Sequence, residues 1–433
     1  MARKKKRTTI RGNLIKIGLV FAAGTALAVV LPMMGSGYQP LVPDGFDPEF
    51  QMAKRQAPEN AYPVFDAANQ LLPETPGELQ GAFDGALNRD RYAFDVEFKA
   101  PLADFLGVAA GPAPGAMTDY LLLCADAAAK VREAVAKPYY LLPEPPQLSV
   151  RGRKDYWDFP QMGVRVLGYG AVLTNDPATL RQGLETILDV VRMSRMMWPE
   201  ESGQYFFSRG LEDVASGVLC QSLSKPGMDE QLPWLLEQWK ALGAPGTPRI
   251  EMLRIFWRRF DNTILYKSPE MDDRDFGDKV ELMFFHMEVE SWADGVAQHR
   301  EAFDLLSKLP PSKFDTVIKN FPRLAQQGRR ERQLQWNLVL LKQAALYDVS
   351  YARTLLAMAL ERYRQAEGNY PDKLDRLVPD YLDPIPKDAT NDLAFRYEAD
   401  ENGYRLRSIG LNEQDDQGGG DDYLVLDLFA KEG

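Results

Sequence analysis

The chain has 433 residues, 45% of them hydrophobic and 26% charged, which is the composition of globular protein and excludes a disordered chain. Its net charge of −11 is uneven: Arg3, Lys4, Lys5, Lys6, Arg7, Arg11 and Lys16 crowd the N-terminus, leaving 44 basic against 62 acidic residues, or −18, beyond it. A body that acidic repels phosphate backbones, so nucleic acid is excluded as a partner.

Residues 1–13 form a basic tail, and an uncharged, mostly apolar run follows from Ile17 to Met34. A run of about 18 such residues spans a hydrocarbon core of about 30 Å. Residues 14–34 are therefore expected to be a transmembrane signal-anchor. The flanking lysines and arginines stay cytoplasmic and the body is exported to the periplasm, giving a single-pass inner-membrane protein. The alternative is a cleaved signal peptide, because Ala26-Leu27-Ala28 offers a small-x-small site. Residues 35–60, rich in Pro and Gly, read as a linker.

Residues 61–340 are expected to form a helical domain of antiparallel hairpins. Apolar residues at three- and four-residue spacing mark helices in 119–136, 178–197, 208–224 and 229–243. Asn175 or Asp176 before Pro177 is a helix-start signal, and Pro226-Gly227 separates two helices. Cys124 and Cys220 lie in apolar runs without metal spacing, as core thiols or as a long-loop disulfide. His286 and His299, 13 residues apart, form no HExxH arrangement. The acidic stretch 271–281 lacks EF-hand spacing and reads as a polar loop. Arg151, Arg153 and Lys154 beside Tyr156 and Trp157 suggest either a stacked anionic or sugar ligand or a packed aromatic with solvated neighbours. Arg254, Arg258 and Arg259 read as the charged face of a helix. No nucleophile elbow, phosphate loop or dinucleotide fingerprint is present. Carboxylate pairs are numerous, which keeps a cell-envelope hydrolase as an alternative function.

Residues 341–433 change character. Ala352, Leu355, Leu356, Ala359, Tyr363 and Ala366 form the stripe of an amphipathic helix that Gly368 stops and Pro371 prevents from resuming. Prolines 379, 384 and 386 mark an ordered crossing. Strands are expected in 393–399, 404–411 and 423–428, the first two joined by a turn at Asp400 to Gly403. The fold class is thus mainly α with a C-terminal α+β module.

The ordered pattern Tyr363, Gly368-x-Tyr370-Pro371, Leu374, Leu377-Val378-Pro379, Tyr381-Leu382, Ile385-Pro386-Lys387-Asp388 and Ser408-x-Gly410 resembles the C-terminal region of type II secretion major pseudopilins. It covers residues 348–425. The resemblance implies a pilin-like helix packed on a small antiparallel sheet, with a calcium ion in the acidic loop after Ser-x-Gly. The implied ligands are Asn412, where the family often has aspartate, Asp415, Asp416, Asp421 and Asp422. Calcium takes six to eight oxygen ligands, and the local charge from residue 372 onward is −9, with 16 acids and 7 bases. The N-terminus does not match the pseudopilin processing site, so the module is expected to serve docking rather than fibre assembly. The function expected is a membrane-anchored binding or scaffold protein with a pseudopilin or another envelope protein as partner. An accessory role in a type II secretion-like system is a further alternative.

Overall fold

The computed structural model of the protein describes residues 53–77, 79, 115–142, 155–197, 202–243, 305, 306, 308–314, 316, 329–400, 403–416 and 423–427. All of these lie in one compact unit built from 47–259 and 298–433. The architecture is mainly helical, closed by a small antiparallel sheet near the C-terminus. The basic tail and the anchor expected over 14–34 lie outside the described residues. Among the described residues no helix is long and apolar enough to cross a membrane.

Residues 53–60, at the end of the Pro- and Gly-rich stretch, dock on the folded body. Buried Asn60 donates from Nδ2 to the carbonyls of Arg55 (2.8 Å) and Leu141 (2.7 Å), and accepts from the Leu141 amide at 2.8 Å. Helix α1 (Tyr62–Gln70) then buries Phe65 against Tyr140 and Phe159, with ring centroids 6.0 and 6.1 Å away. The helix expected over 119–136 is two helices, α2 (Gly115–Leu122) and α3 (Ala125–Val135). Its leucines 121–123 and Cys124 are apolar without a period. The chain tightens there through bonds from Leu123 N to Tyr120 O and from Cys124 N to Leu121 O. That keeps Leu121 and Cys124 buried and leaves Leu122 and Leu123 exposed.

Helix α4 (Asp155–Leu173) and helix α5 (Leu180–Met197) pack along each other as a hairpin. The Thr179 hydroxyl donates to Leu173 O at 2.7 Å, and Asp176 Oδ1 accepts from the Ala178 amide at 2.9 Å, which fixes the turn. Gly170 and Gly183 let the two backbones touch. A Cβ on Gly183 would lie 2.7 Å from Gly170 O and 2.9 Å from Thr174 N, both backbone atoms that have nowhere to go. Gly183→Ala is accordingly expected to destabilise the fold by about 1–3 kcal/mol, read from the midpoint of chemical denaturation.

Helix α6 (Ser202–Ser222) lies against α5, and α7 (Met228–Leu242) against α5 and the last helix. Gly227, at φ +84°, makes the left-handed step into α7 that L-residues resist. One guanidinium ties three of these helices together. Arg195 donates to the buried Glu212 carboxylate at 3.0 and 2.6 Å, and to Leu242 O and Gly243 O at 2.7 and 2.9 Å. Asp189 is held in the same manner by Arg132 and Arg192, each at 2.7 Å.

Helix α8 (Arg329–Glu367) is 39 residues long and serves both halves of the body. It packs on α6 and α7, and its C-terminal portion carries the sheet and the short turn at Leu374–Leu377. The expected boundary between residues 340 and 341 falls inside this helix. Ala352, Leu355, Leu356 and Ala359 are buried and Tyr363 half-buried, as the stripe predicts, while Ala366 in the final turn is exposed. Gly368 closes the helix at φ +81°, donating its amide to Arg364 O at 2.8 Å. The crossing loop buries Leu374, Leu377 and Leu382 and contains cis peptide bonds at Val378–Pro379 and Asp383–Pro384. The sheet has the order β1 (Arg396–Ala399), β2 (Tyr404–Ser408), β3 (Tyr423–Asp427), all antiparallel. Tyr404 and Leu406 of β2 join one hydrophobic core that reaches back to α1.

Candidate functional site

The acidic loop leaves β2 through Ser408-Ile409-Gly410, and the exit is built around one buried carboxylate. Asp388, in the crossing loop, accepts from the Thr390 amide (2.9 Å), the Thr390 hydroxyl (2.6 Å), Asn391 Nδ2 (3.2 Å) and the Ser408 hydroxyl. Asn391 also donates to Gly410 O at 2.8 Å, and the Gly410 amide donates to Ser408 Oγ at 3.1 Å. The last two members of the sequence pattern, Lys387-Asp388 and Ser408-x-Gly410, therefore meet in a single network. Gly410 adopts φ +63°, which turns the chain out of the sheet.

Beyond Gly410, three of the five expected ligands are described, and they do not converge on one point. Asn412 Oδ1 accepts from the Gln414 amide at 2.7 Å, and Asn412 Nδ2 donates to Asp416 Oδ2 at 2.9 Å, so these two side chains are brought together. Asp415 turns to the sheet, where it faces Arg396 at 3.4 Å and Arg407 at 3.9 Å. The strand register explains why. Arg396 and Arg407 stand directly opposite each other, a like-charge pair that a carboxylate between them relieves. Glu413, at φ +60°, pairs with Lys313, whose hydrogen bond holds its carboxyl below the usual range. Asp421 and Asp422 lie outside the described residues. Among the described residues no group of three or more His, Cys, Asp or Glu side chains is placed to hold a metal. The oxygens of Asn412 and Asp416 are nevertheless of the kind a hard cation takes.

Among the described residues the other buried carboxylates are hydrogen-bonded or ion-paired within the fold. Glu361 accepts from Tyr370 OH at 2.6 Å and Arg364 Nε at 2.8 Å, and burial followed by this hydrogen bond pushes the Tyr370 phenol up. Asp213 accepts from the Ser350 hydroxyl in the α6–α8 seam and pairs with Arg353 at 3.4 Å. Both cysteines are free and buried; burial pushes the Cys124 thiol up to about 11, which keeps it protonated and inert. His286, His299, Arg151, Arg153, Lys154, Arg254, Arg258, Arg259 and the 271–281 loop lie outside the described residues. Tyr156 and Trp157 fall in the first turn of α4.

Sequence reasoning missed Asp388 as a hub. Its signal was the Lys387-Asp388 pair within the pattern, but its partners at 390, 391 and 408 become neighbours only when the crossing loop folds onto β2. No family model matches the chain, and neither curated proteins nor solved structures give a match.

Proposed function

We propose that the chain is a membrane-anchored, periplasm-facing binding or scaffold protein, whose C-terminal portion is a pseudopilin-like interaction module stabilised by calcium. The reading is carried by the ordered residue pattern from Tyr363 to Gly410, whose helix, crossing loop and antiparallel strands follow one another along the chain. Residues 14–34 supply the anchor through their basic flank and apolar run. Asn412 and Asp416 on one side of the glycine run, with Asp421 and Asp422 on the other, would hold the cation. The ion would offset the crowding of carboxylates and fix the loop between β2 and β3. Asp415 contributes by pinning the loop stem to Arg396 and Arg407.

Calcium is tested on the purified full chain by thermal melting with the ion and with chelator. At a hundredfold excess over Kd the ion is expected to add about 2.7 kcal/mol of stability. The Asp421→Asn, Asp422→Asn double variant is expected to lose that increment and to melt like the chelated protein. Equal melting of the unmutated chain in both conditions refutes the calcium assignment. Isolation of the chain from native membranes, with a pseudopilin or another envelope protein co-purifying, tests the partner.

A further inference from the structure

Lys225 lies where the turn between α6 and α7 packs against the turn between α4 and α5: a Cβ on nearby Gly227 would meet Pro177 and Leu180 at 3.6 Å. The lysine is half-buried, and the exposed Pro226 and Gly227 beside it leave one side open to solvent. Its Nζ donates to Thr174 Oγ1 at 2.5 Å, and Thr174 and the adjacent Ser222 are both buried. The Thr174 hydroxyl donates its own proton to Ala171 O at 2.7 Å, so towards the lysine it acts only as an acceptor. Among the described residues Lys225 forms no ion pair. The charged groups on the neighbouring elements are engaged elsewhere: Asp176 accepts from the Ala178 amide, Asp229 accepts from Gln365 Nε2, and Arg181 pairs with Glu185. Burial pushes the Lys225 ammonium down from the ordinary lysine range, with no charged neighbour contributing.

A lysine beside a helix C-terminus ordinarily caps it. Here that end is complete without it. The last four carbonyls of α4 accept from Thr174 N (Gly170 O, 3.2 Å), Thr174 Oγ1 (Ala171 O, 2.7 Å), Asn175 N (Val172 O, 3.1 Å) and Thr179 Oγ1 (Leu173 O, 2.7 Å). The surroundings give the amine one neutral acceptor and partial desolvation, which favour loss of a proton and a free lone pair on Nζ. Modifications differ in what they leave on that nitrogen. Methylation keeps the charge. An imine formed with an aldehyde is either protonated, which restores the charge, or has no N–H for Thr174. An amide is neutral and retains one N–H, so it removes the charge and keeps the bond to Thr174.

We propose that Lys225 is a site of Nε-acylation by an activated acyl donor, an acyl phosphate or a thioester. The Nζ lone pair adds to the carbonyl carbon of the donor, and the bond from that carbon to oxygen or sulfur breaks. Phosphate or thiolate leaves with the electron pair, and one Nζ proton passes to water. The assignment is independent of the anchor and of the calcium loop. It is tested on the purified full chain with acetyl phosphate and, separately, with S-acetyl-N-acetylcysteamine, the acetylation of each lysine being followed by peptide mass spectrometry. In the folded chain Lys225 is expected to react at least about fivefold faster than Lys130 and Lys240 with one donor or both, and the donor showing the preference identifies the source. In urea, where every lysine is solvated, the preference is expected to vanish. Lys225→Gln, neutral like the amide, is expected to melt at or above the wild-type temperature. Lys225 reacting no faster than the other two lysines with both donors overturns the proposal. So does a preference that survives in urea, a Lys225→Gln variant that melts several degrees lower, or a larger Lys225 preference in reductive trapping with glyceraldehyde than with either acyl donor.

Discussion

Asp388→Ala is expected to be among the most damaging single substitutions in the C-terminal portion, costing about 3–5 kcal/mol. The carboxylate is 1% exposed and accepts bonds from two hydroxyls, one amide side chain and one backbone amide. Alanine leaves those donors without an acceptor where water does not reach, and each buried orphan costs about 1–3 kcal/mol. The loss is expected to be local before it is global. Hydrogen exchange should rise first across 388–393 and 408–416, because Asn391 and Ser408 connect this carboxylate to Gly410. Asp388→Asn retains one acceptor oxygen and should fall between the wild type and alanine. A melting temperature for Asp388→Ala within a degree or so of wild type would mean that the network does not hold the loop exit.

Trp239→Ala is expected to be as severe for the helical portion, at about 3–5 kcal/mol. The indole is fully buried in α7, stacks on Tyr351 of α8 with 5.5 Å between centroids and 16° between planes, and donates from Nε1 to Tyr351 O at 3.4 Å. Truncation removes a large apolar surface and opens a cavity between two helices that cannot close without shifting α8. For a body of this size the loss corresponds to a fall in melting temperature of about 10 °C. Trp239→Phe keeps most of the surface and should recover more than half of it. Differential scanning calorimetry on the two variants separates the packing contribution from the single hydrogen bond.

The helices with a clean period are legible in the sequence: α5 and α7 begin and end within two residues of the expected spans, and Gly227 and Gly368 perform the separating and stopping roles their positions announce. The exceptions have physical causes. Helix α4 contains Pro160, Gly163, Gly168 and Gly170, which argue locally against a helix. Tertiary contact overrides propensity there, since Gly170 is what lets α5 approach. The run 121–124 could not show its break because four apolar residues in succession have no period. In the candidate site the charges were legible and their pairing was not. Asp415 looked like a member of the acidic loop because its arginine partners, 19 and eight residues earlier, become its neighbours only through the β1–β2 register.

The unbroken α8 has a mechanical consequence. At about 1.5 Å per residue its 39 residues make a strut of about 58 Å. The sheet hangs from one end, and the bundle grips the strut further back through Trp239, Thr354 and Ser350. Tension applied at the strands is delivered along α8 to the helices that grip it, and directly through the core that Tyr404 and Leu406 share with the bundle. A partner that tugs on the hairpin therefore loads the whole described body at once.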